Sequence, residues 1–329
     1  MSEIRTKNIQ PHLANAQADI ANLLTQVKQA VIGQQAVIEK IVVCLLAGGH
    51  VLLEGVPGLG KTLMVKALAT AMTGQYSRIQ FTPDLMPSDI TGHTLYDMQT
   101  GQWKVRKGAV FCNLLLADEI NRAPAKTQSA LLEVMQEQQV TIEGQSYPMP
   151  QPFNCIATQN PIEQEGTYPL PEAQLDRFLM NVLMDYPSEQ EEKNMLIEMV
   201  AGQVGDSLNT TQVQPVITPQ RLAQLQLLAA HVKLDDRIVQ YALDIVRLSR
   251  QFTGIEFGAG SRAGMALLRC GRAKALMAGR DYVVPDDIRI IAPEVLRHRL
   301  GLTADYQIDG YHIDQVVDNL INAVTAPRQ

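Results

Sequence analysis

Apolar side chains recur at Ile9, Leu13, Ala16, Ile20, Leu23 and Val27. Steps of three and four place such residues on one stripe, so the spacing predicts an amphipathic helix over 9–27 with one buried face. Val31-Ile-Gly-Gln34 ends it, with Gly33 expected as the C-cap, and a second helix is expected from Gln35 to Leu46, stopping at Gly48-Gly49. The pattern then changes. His50-Val-Leu-Leu-Glu54, the run from Phe111 to Ala117, Asn154–Thr158 and Leu179–Leu183 are nearly continuous apolar stretches. Strands of a parallel sheet are covered on both faces and read this way, whereas Tyr76-Ser-Arg-Ile-Gln-Phe81 alternates. Helical spacing returns between them at Met64, Val65, Leu68 and Ala69, and at Leu131, Leu132 and Met135 within 128–136. Strands alternating with helices predict an α/β fold, a parallel sheet flanked by helices.

Two hairpins interrupt that alternation. Thr94–Asp97 and Gln102–Arg106 flank a turn at Gly101, and Val140–Glu143 and Gln145–Met149 turn at Gly144. Trp103, the single tryptophan, lies in the first; packing is the usual employment of such a ring, and a protruding hairpin also makes it a contact for a partner. Beyond Tyr186-Pro187-Ser188 the strands fade. Residues 202–219 are polar and read as a loop or insertion, and helices follow from Asp235 to Leu248, from Gly258-Ala-Gly-Ser-Arg262 to about Ala278, and from Pro285-Asp-Asp287 onward. Residues 1–187 are therefore assigned to an α/β domain and 188–329 to an all-α domain.

Composition narrows the class. With 46% hydrophobic and 19% charged residues over 329 positions, the chain is an ordinary globular protein with material for a sizeable core. A net charge of −6 disfavours a nonspecific grip on nucleic acid or an anionic membrane. No stretch has the length of a membrane span, the N-terminal residues lack a signal-peptide core, and a cytoplasmic location is expected. Cys44, Cys112, Cys155 and Cys270 are scattered among apolar neighbours and read as reduced core residues. The histidines show no metal spacing, and His298 reads as helix surface.

The chemistry begins at Gly55-Val-Pro-Gly-Leu-Gly-Lys-Thr62, behind the first apolar strand. It matches the phosphate-loop pattern without a mismatch. Val56, Pro57, Gly58, Leu59 and Gly60 supply a loop whose N–H groups converge on phosphate oxygens, and the helix opening at Lys61, Thr62 and Leu63 adds its positive end. Lys61 carries a mobile charge for the β- and γ-phosphates of a nucleotide, and the Thr62 hydroxyl completes a Mg²⁺ shell. The run Phe111–Ile120 closes on adjacent carboxylates. Asp118 can hold Mg²⁺ through a water, and Glu119 can take a proton from the attacking water or orient it. Asn160 ends the next strand facing the same crevice. Arg177, just before the last strand, suits either a structural ion pair or a reach toward a neighbouring subunit.

These features in this order, with Ala117-Asp-Glu-Ile-Asn-Arg-Ala-Pro124, Ala157–Tyr168 and Gly279–Asp287 as further stretches, resemble the AAA+ ATPases and, within them, the MoxR family, over nearly the whole chain. The resemblance implies an AAA+ P-loop NTPase core with β-hairpin inserts, an all-α lid domain, and an ATP-driven ring, usually of six subunits. It places Ile32, Gly33 and Gln34 by the adenine. It makes Asn160 sensor 1, Arg177 the arginine finger and Arg262 sensor 2, acting on its own nucleotide or a neighbour's. The hairpins become the helix-2 insert and the pre-sensor-1 hairpin, tending toward a central pore. Gly260-Ser261 departs from the Ser-Pro that relatives commonly show, which bears on how that helix starts. Family members resemble chaperones that mature or activate protein complexes, often with a partner carrying a von Willebrand factor A domain.

The expected function is Mg²⁺-dependent ATP hydrolysis in a homo-oligomeric ring, coupled to remodelling of a protein client. A metal-chelatase motor subunit shares the architecture and differs mainly in partner. A nucleic-acid motor is disfavoured by the acidic balance and the lack of a basic-aromatic strip. A small-molecule kinase leaves the helical domain and Arg177 unused.

Overall fold

The computed structural model describes residues 9–161, 166–200 and 210–327. The N-terminal residues 1–8, the 162–165 part of the Ala157–Tyr168 stretch and the 202–209 part of the polar segment lie outside the described residues. Two helices, α1 (Gln10–Ala30) and α2 (Gln35–Leu46), precede strand β1 (Val51–Gly55) and helix α3 (Lys61–Ala71). Then come β2 (Tyr76–Gln80), a short helix α4 (Pro87–Thr91), the hairpin β3 (Gly92–Asp97) and β4 (Gln102–Lys107), and β5 (Leu114–Asp118). Helix α5 (Ala125–Glu137), the hairpin β6 (Gln139–Ile142) and β7 (Gln145–Pro148), β8 (Asn154–Gln159), α6 (Glu172–Leu175) and β9 (Met180–Met184) complete the first half.

Five strands pair in parallel in the order β2-β5-β8-β1-β9. Side chains alternate across a strand, and the sheet sorts them into two cores. Val51, Leu53, Leu116, Ile156 and Val182 join α1, α2 and α3 on one face, while Leu52, Leu115, Ala117, Cys155 and Ala157 join α5 on the other. Strand β2 lies at an edge, which is why it alternates while β5 is buried throughout. The order puts β1 between β8 and β9, so the loop after β1 opens at the C-terminal ends of the central strands, where open α/β sheets bind ligands.

The second half is helical: α7 (Glu189–Val200), α8 (Pro219–Ala230), α9 (Asp236–Ser249), α10 (Ser261–Met277), α11 (Pro285–Leu296), α12 (Ala304–Ile308) and α13 (Ile313–Ala323), with the small pair β10 (Ile255–Phe257) and β11 (Gly301–Leu302). Buried residues of α8 to α11 belong to the same hydrophobic core as α1 and α2. The described part of the polar segment docks rather than loops free, since Thr73 and Val216 exchange main-chain hydrogen bonds with Ile217 and Ala71. No helix of the described residues is long and apolar enough to cross a membrane.

Three expectations need correction. Helix α1 is capped by extended Val31, and Gly33, at φ +75°, shapes the turn into α2 instead. Trp103 is not core: it is 71% exposed, edge-on to Tyr96 with ring centres 5.3 Å apart, because both strands of its hairpin stand clear of the sheet. His298 is not helix surface. It lies in a 3₁₀ turn after α11, buried, with Nε2 3.1 Å from the Phe178 carbonyl oxygen. All four cysteines are buried and free, and burial pushes the Cys112 and Cys270 thiols up to about 12.

Candidate nucleotide site

Between β1 and α3 the loop turns on Gly58 and Gly60, at φ +87° and +82°. Side-chain-bearing residues resist these angles, and a Cβ added at either glycine meets nothing within 4 Å, so the loop presents bare backbone to an open side. Lys61 Nζ donates to the Gly55 carbonyl at 2.6 Å, folding back over the loop. Thr62 Oγ1 donates to Asp118 Oδ2 at 3.4 Å, which joins the start of α3 to the end of β5.

The two carboxylates are held differently. Asp118, at the buried end of β5, accepts from Thr158 Oγ1 at 2.6 Å on one oxygen and from Arg78 Nη2 at 2.7 Å and Nε at 3.3 Å on the other. Glu119 leaves the strand in a left-handed conformation, φ 55° and ψ 51°. Such a backbone is uncommon for a residue with a side chain and costs about 1 kcal/mol or more. It is held there by the Glu119 N–H donating to Thr158 Oγ1 at 2.9 Å. The Glu119 carboxylate accepts from Gln80 Nε2 at 2.7 Å and Arg122 Nη1 at 3.0 Å. Asn160 is buried at the end of β8. Pro57, Gly58, Gly60, Lys61, Thr62, Leu63, Asp118, Glu119 and Asn160 line one cavity of about 430 Å³. Its donors and carboxylates fit a Mg²⁺–triphosphate: backbone N–H groups, an ammonium and a hydroxyl on one wall, two carboxylates on the other.

Val56 and Leu59 of the loop turn inward against the core. Ile32, Gly33 and Gln34 lie in the turn between α1 and α2, apart from that cavity's lining. The turn is fixed to the end of the sheet: Gln34 Nε2 donates to the Asp185 carbonyl at 2.9 Å, and a Cβ on Gly33 would come within 3.0 Å of the Pro187 and Glu191 side chains. Arg177 and Arg262 line a different cavity, of about 330 Å³, with Gly48, Gly49, His50 and Asp176. Arg262 Nη1 reaches Asp176 Oδ2 at 3.4 Å.

Sequence reasoning missed Arg78, Gln80 and Thr158. The signals were present. Arg78 and Gln80 are the polar members of an alternating edge strand ending beside Asp118, and Thr158 is a hydroxyl inside an otherwise apolar run, which must find a partner when buried.

Residues 50–180 match the model of the ATPase family associated with various cellular activities (AAA), and 247–320 match the AAA lid domain. The chain is 44% identical over 312 residues to the chaperone MoxR1 of Mycobacterium tuberculosis, covering 92% of this chain and 81% of the relative. It is 42% identical over 310 residues to the Bacillus subtilis protein YeaC, covering 94% and 95%. A crystal structure from Cytophaga hutchinsonii superposes with a TM-score of 0.88 at 38% identity, covering 96% of this chain and 97% of that one.

Proposed function

Because the chain belongs to the MoxR family of AAA+ ATPases, we propose that it hydrolyses ATP at a junction between two copies of itself within a closed ring of six. We propose further that the cycle drives remodelling or activation of a protein client, with a partner bearing a von Willebrand factor A domain as the companion such a client would use. One observation carries the junction: the groups needed for hydrolysis are divided between two cavities. Lys61, Thr62, Asp118, Glu119 and Asn160 stand together, whereas Arg177 and Arg262 stand elsewhere. Among the described residues the Arg177 guanidinium has no hydrogen-bond or ion-pair partner. A head-to-tail contact, repeated until it closes, brings the arginines of one copy to the phosphate loop of the next.

Within that junction Thr62 and Asp118 would hold Mg²⁺, which when bound neutralises phosphate charge. The loop N–H groups and Lys61 bind and orient the triphosphate. Glu119 accepts the proton of the attacking water, and its left-handed backbone aims the carboxylate off the strand. Asn160 orients that water or the terminal phosphate. Arg177 from the neighbour stabilises the charge that develops on transfer, a role worth about 10³–10⁵-fold in other nucleotide hydrolases. Arg262, on the same side as Arg177, acts across the junction too.

Arg177→Ala is expected to keep the ATP dissociation constant and lose turnover by about 10³-fold, measured by phosphate release at saturating ATP. Wild-type turnover in that variant would remove the shared site. Glu119→Gln is expected to bind ATP, turn over slowly and hold the ring together on a sizing column.

A further inference from the structure

Three consecutive lid side chains grip the segment that carries Arg177. Arg299 donates through Nη2 to the Phe178 carbonyl at 2.6 Å, through Nη1 to the Leu179 carbonyl at 3.2 Å and through Nε to Asp176 Oδ1 at 2.7 Å. His298 Nε2 meets the same Phe178 carbonyl at 3.1 Å. Arg297 donates through Nη1 to the Asn181 carbonyl at 2.6 Å, while the rest of its guanidinium forks onto Asp314 of α13 at 2.8 and 3.1 Å. The residues on either side of Arg177 are therefore held from two sides: by the core, where Phe178 is buried and the Leu179 N–H donates to the His50 carbonyl at 2.8 Å, and by the turn that closes α11. On the core side Asn181, whose carbonyl Arg297 holds, donates through Nδ2 to Glu54 of β1 at 2.8 Å.

Two features separate this from ordinary domain glue. The Arg297 and Arg299 side chains are only 8% and 4% exposed. Taking a guanidinium out of water costs several kcal/mol, and well-packed apolar residues commonly hold two elements together as firmly. What forked charged donors add is a defined geometry. The His298 ring is also committed. Its buried Nδ1 has no partner among the described residues, so the single ring proton belongs on Nε2. Burial holds its pKa well below the ordinary histidine value, and the ring is a neutral donor at working pH.

We infer that Arg297, His298 and Arg299 are positioning residues for Arg177: they brace the core segment that bears the finger against the lid, so that the lid's attitude tunes where Arg177 stands in the neighbour's site. This rests on the reading of Arg177 as a trans-acting group. A finger set on the core beside β9 and braced by the lid would shift against the neighbour's phosphates when the lid rotates about its own nucleotide, which links successive sites around a ring with no added element. Arg177 would then respond to the nucleotide held by its own chain while acting on the next.

The test is a double-mutant cycle on assembled protein, reading ATP dissociation constant and kcat separately. His298→Leu, which removes the donor to Phe178, is expected to lower kcat by about 10²-fold, the size of an ångström-scale misplacement, with ATP affinity unchanged. His298→Gln, whose side-chain amide can still donate, is expected to recover most of that loss. In an Arg177→Ala background, His298→Leu is expected to cause no further loss, since the group it positions is gone. Arg299→Lys, which keeps the charge and loses the fork, gives the same pattern and decides the matter if His298→Leu no longer binds ATP. Equal proportional losses with and without Arg177, or wild-type kcat in both single variants, overturn the inference while the shared site stands. Wild-type kcat in Arg177→Ala alone overturns both.

Discussion

Thr158 is the residue on which both carboxylates depend. Its hydroxyl donates to Asp118 at 2.6 Å and accepts the Glu119 N–H at 2.9 Å, and it is fully buried. Thr158→Val keeps the shape and removes both bonds, leaving a carboxylate oxygen and a main-chain N–H without that partner. The expected cost is about 1–3 kcal/mol of stability, with kcat falling and ATP affinity retained; Thr158→Ser should stay near wild type in both denaturant melts and turnover assays. His50 shows the same economy in the core. It accepts the Cys155 N–H on Nδ1 at 3.0 Å and faces the Met135 carbonyl with Nε2 at 3.1 Å, so both nitrogens are committed to the neutral ring. Burial lowers its pKa from 6.5 to about 4. The unfolded chain binds this proton below about pH 6.5 and the folded chain does not, so stability is full above that pH and is lost as pH falls toward 4. His50 alone accounts for about 3 kcal/mol across that window. Denaturant melts between pH 7 and 4 should show the slope, and replacing His50 should make it shallower, with buried His298 keeping a contribution of the same sign.

At the scale of elements, the β3–β4 hairpin and the β1 approach behave in opposite ways. In the hairpin, Tyr96 pairs across from Trp103 and Thr94 from Val105, so alternation puts an aromatic-rich surface on one face and His93, Lys104 and Arg106 on the other. Strand β4 is exposed throughout, whereas most of β3 is half-buried. Trp103→Ala is therefore expected to change unfolding free energy by no more than about 0.5 kcal/mol, an unusual result for a lone tryptophan and readable in a denaturant melt. Gly49, just before β1, is different. A Cβ there would sit 2.3 to 2.9 Å from Leu179 side-chain atoms. Gly49→Ala should cost about 1–3 kcal/mol as an overpacking change, and it presses on the segment following Arg177. The helices obeyed their periodicity because a buried stripe is set by local spacing. The hairpins were equally legible as hairpins, since Gly101 and Gly144 adopt φ +65° and +77°, yet their exposure was not, because alternation says which side chains share a face and not whether anything covers it.

For the whole molecule, the parallel sheet brings the phosphate loop at the end of β1 and the carboxylates at the end of β5, the candidate nucleotide-binding groups, into one cavity at the C-terminal ends of its strands. The arginines line a separate cavity. If hydrolysis needs both, turnover per molecule should fall steeply on dilution below the concentration at which the ring dissociates, measured as specific activity against protein concentration beside a sizing experiment. Much of this was readable in advance: the strand runs, the loop glycines, Asp118-Glu119 and the change to helices after Pro187 are all local patterns, and local patterns follow from residue geometry and solvation. Spatial grouping was not. That Arg78, from an edge strand, neutralises Asp118 across the sheet, that Thr158 binds both carboxylates, and that Arg297, His298 and Arg299 close on the carbonyls around Arg177 depends on strand order and on how the lid packs. Those contacts join residues 39 to 123 positions apart, and no periodicity in a chain specifies which distant residues its folding will bring within a hydrogen bond of each other.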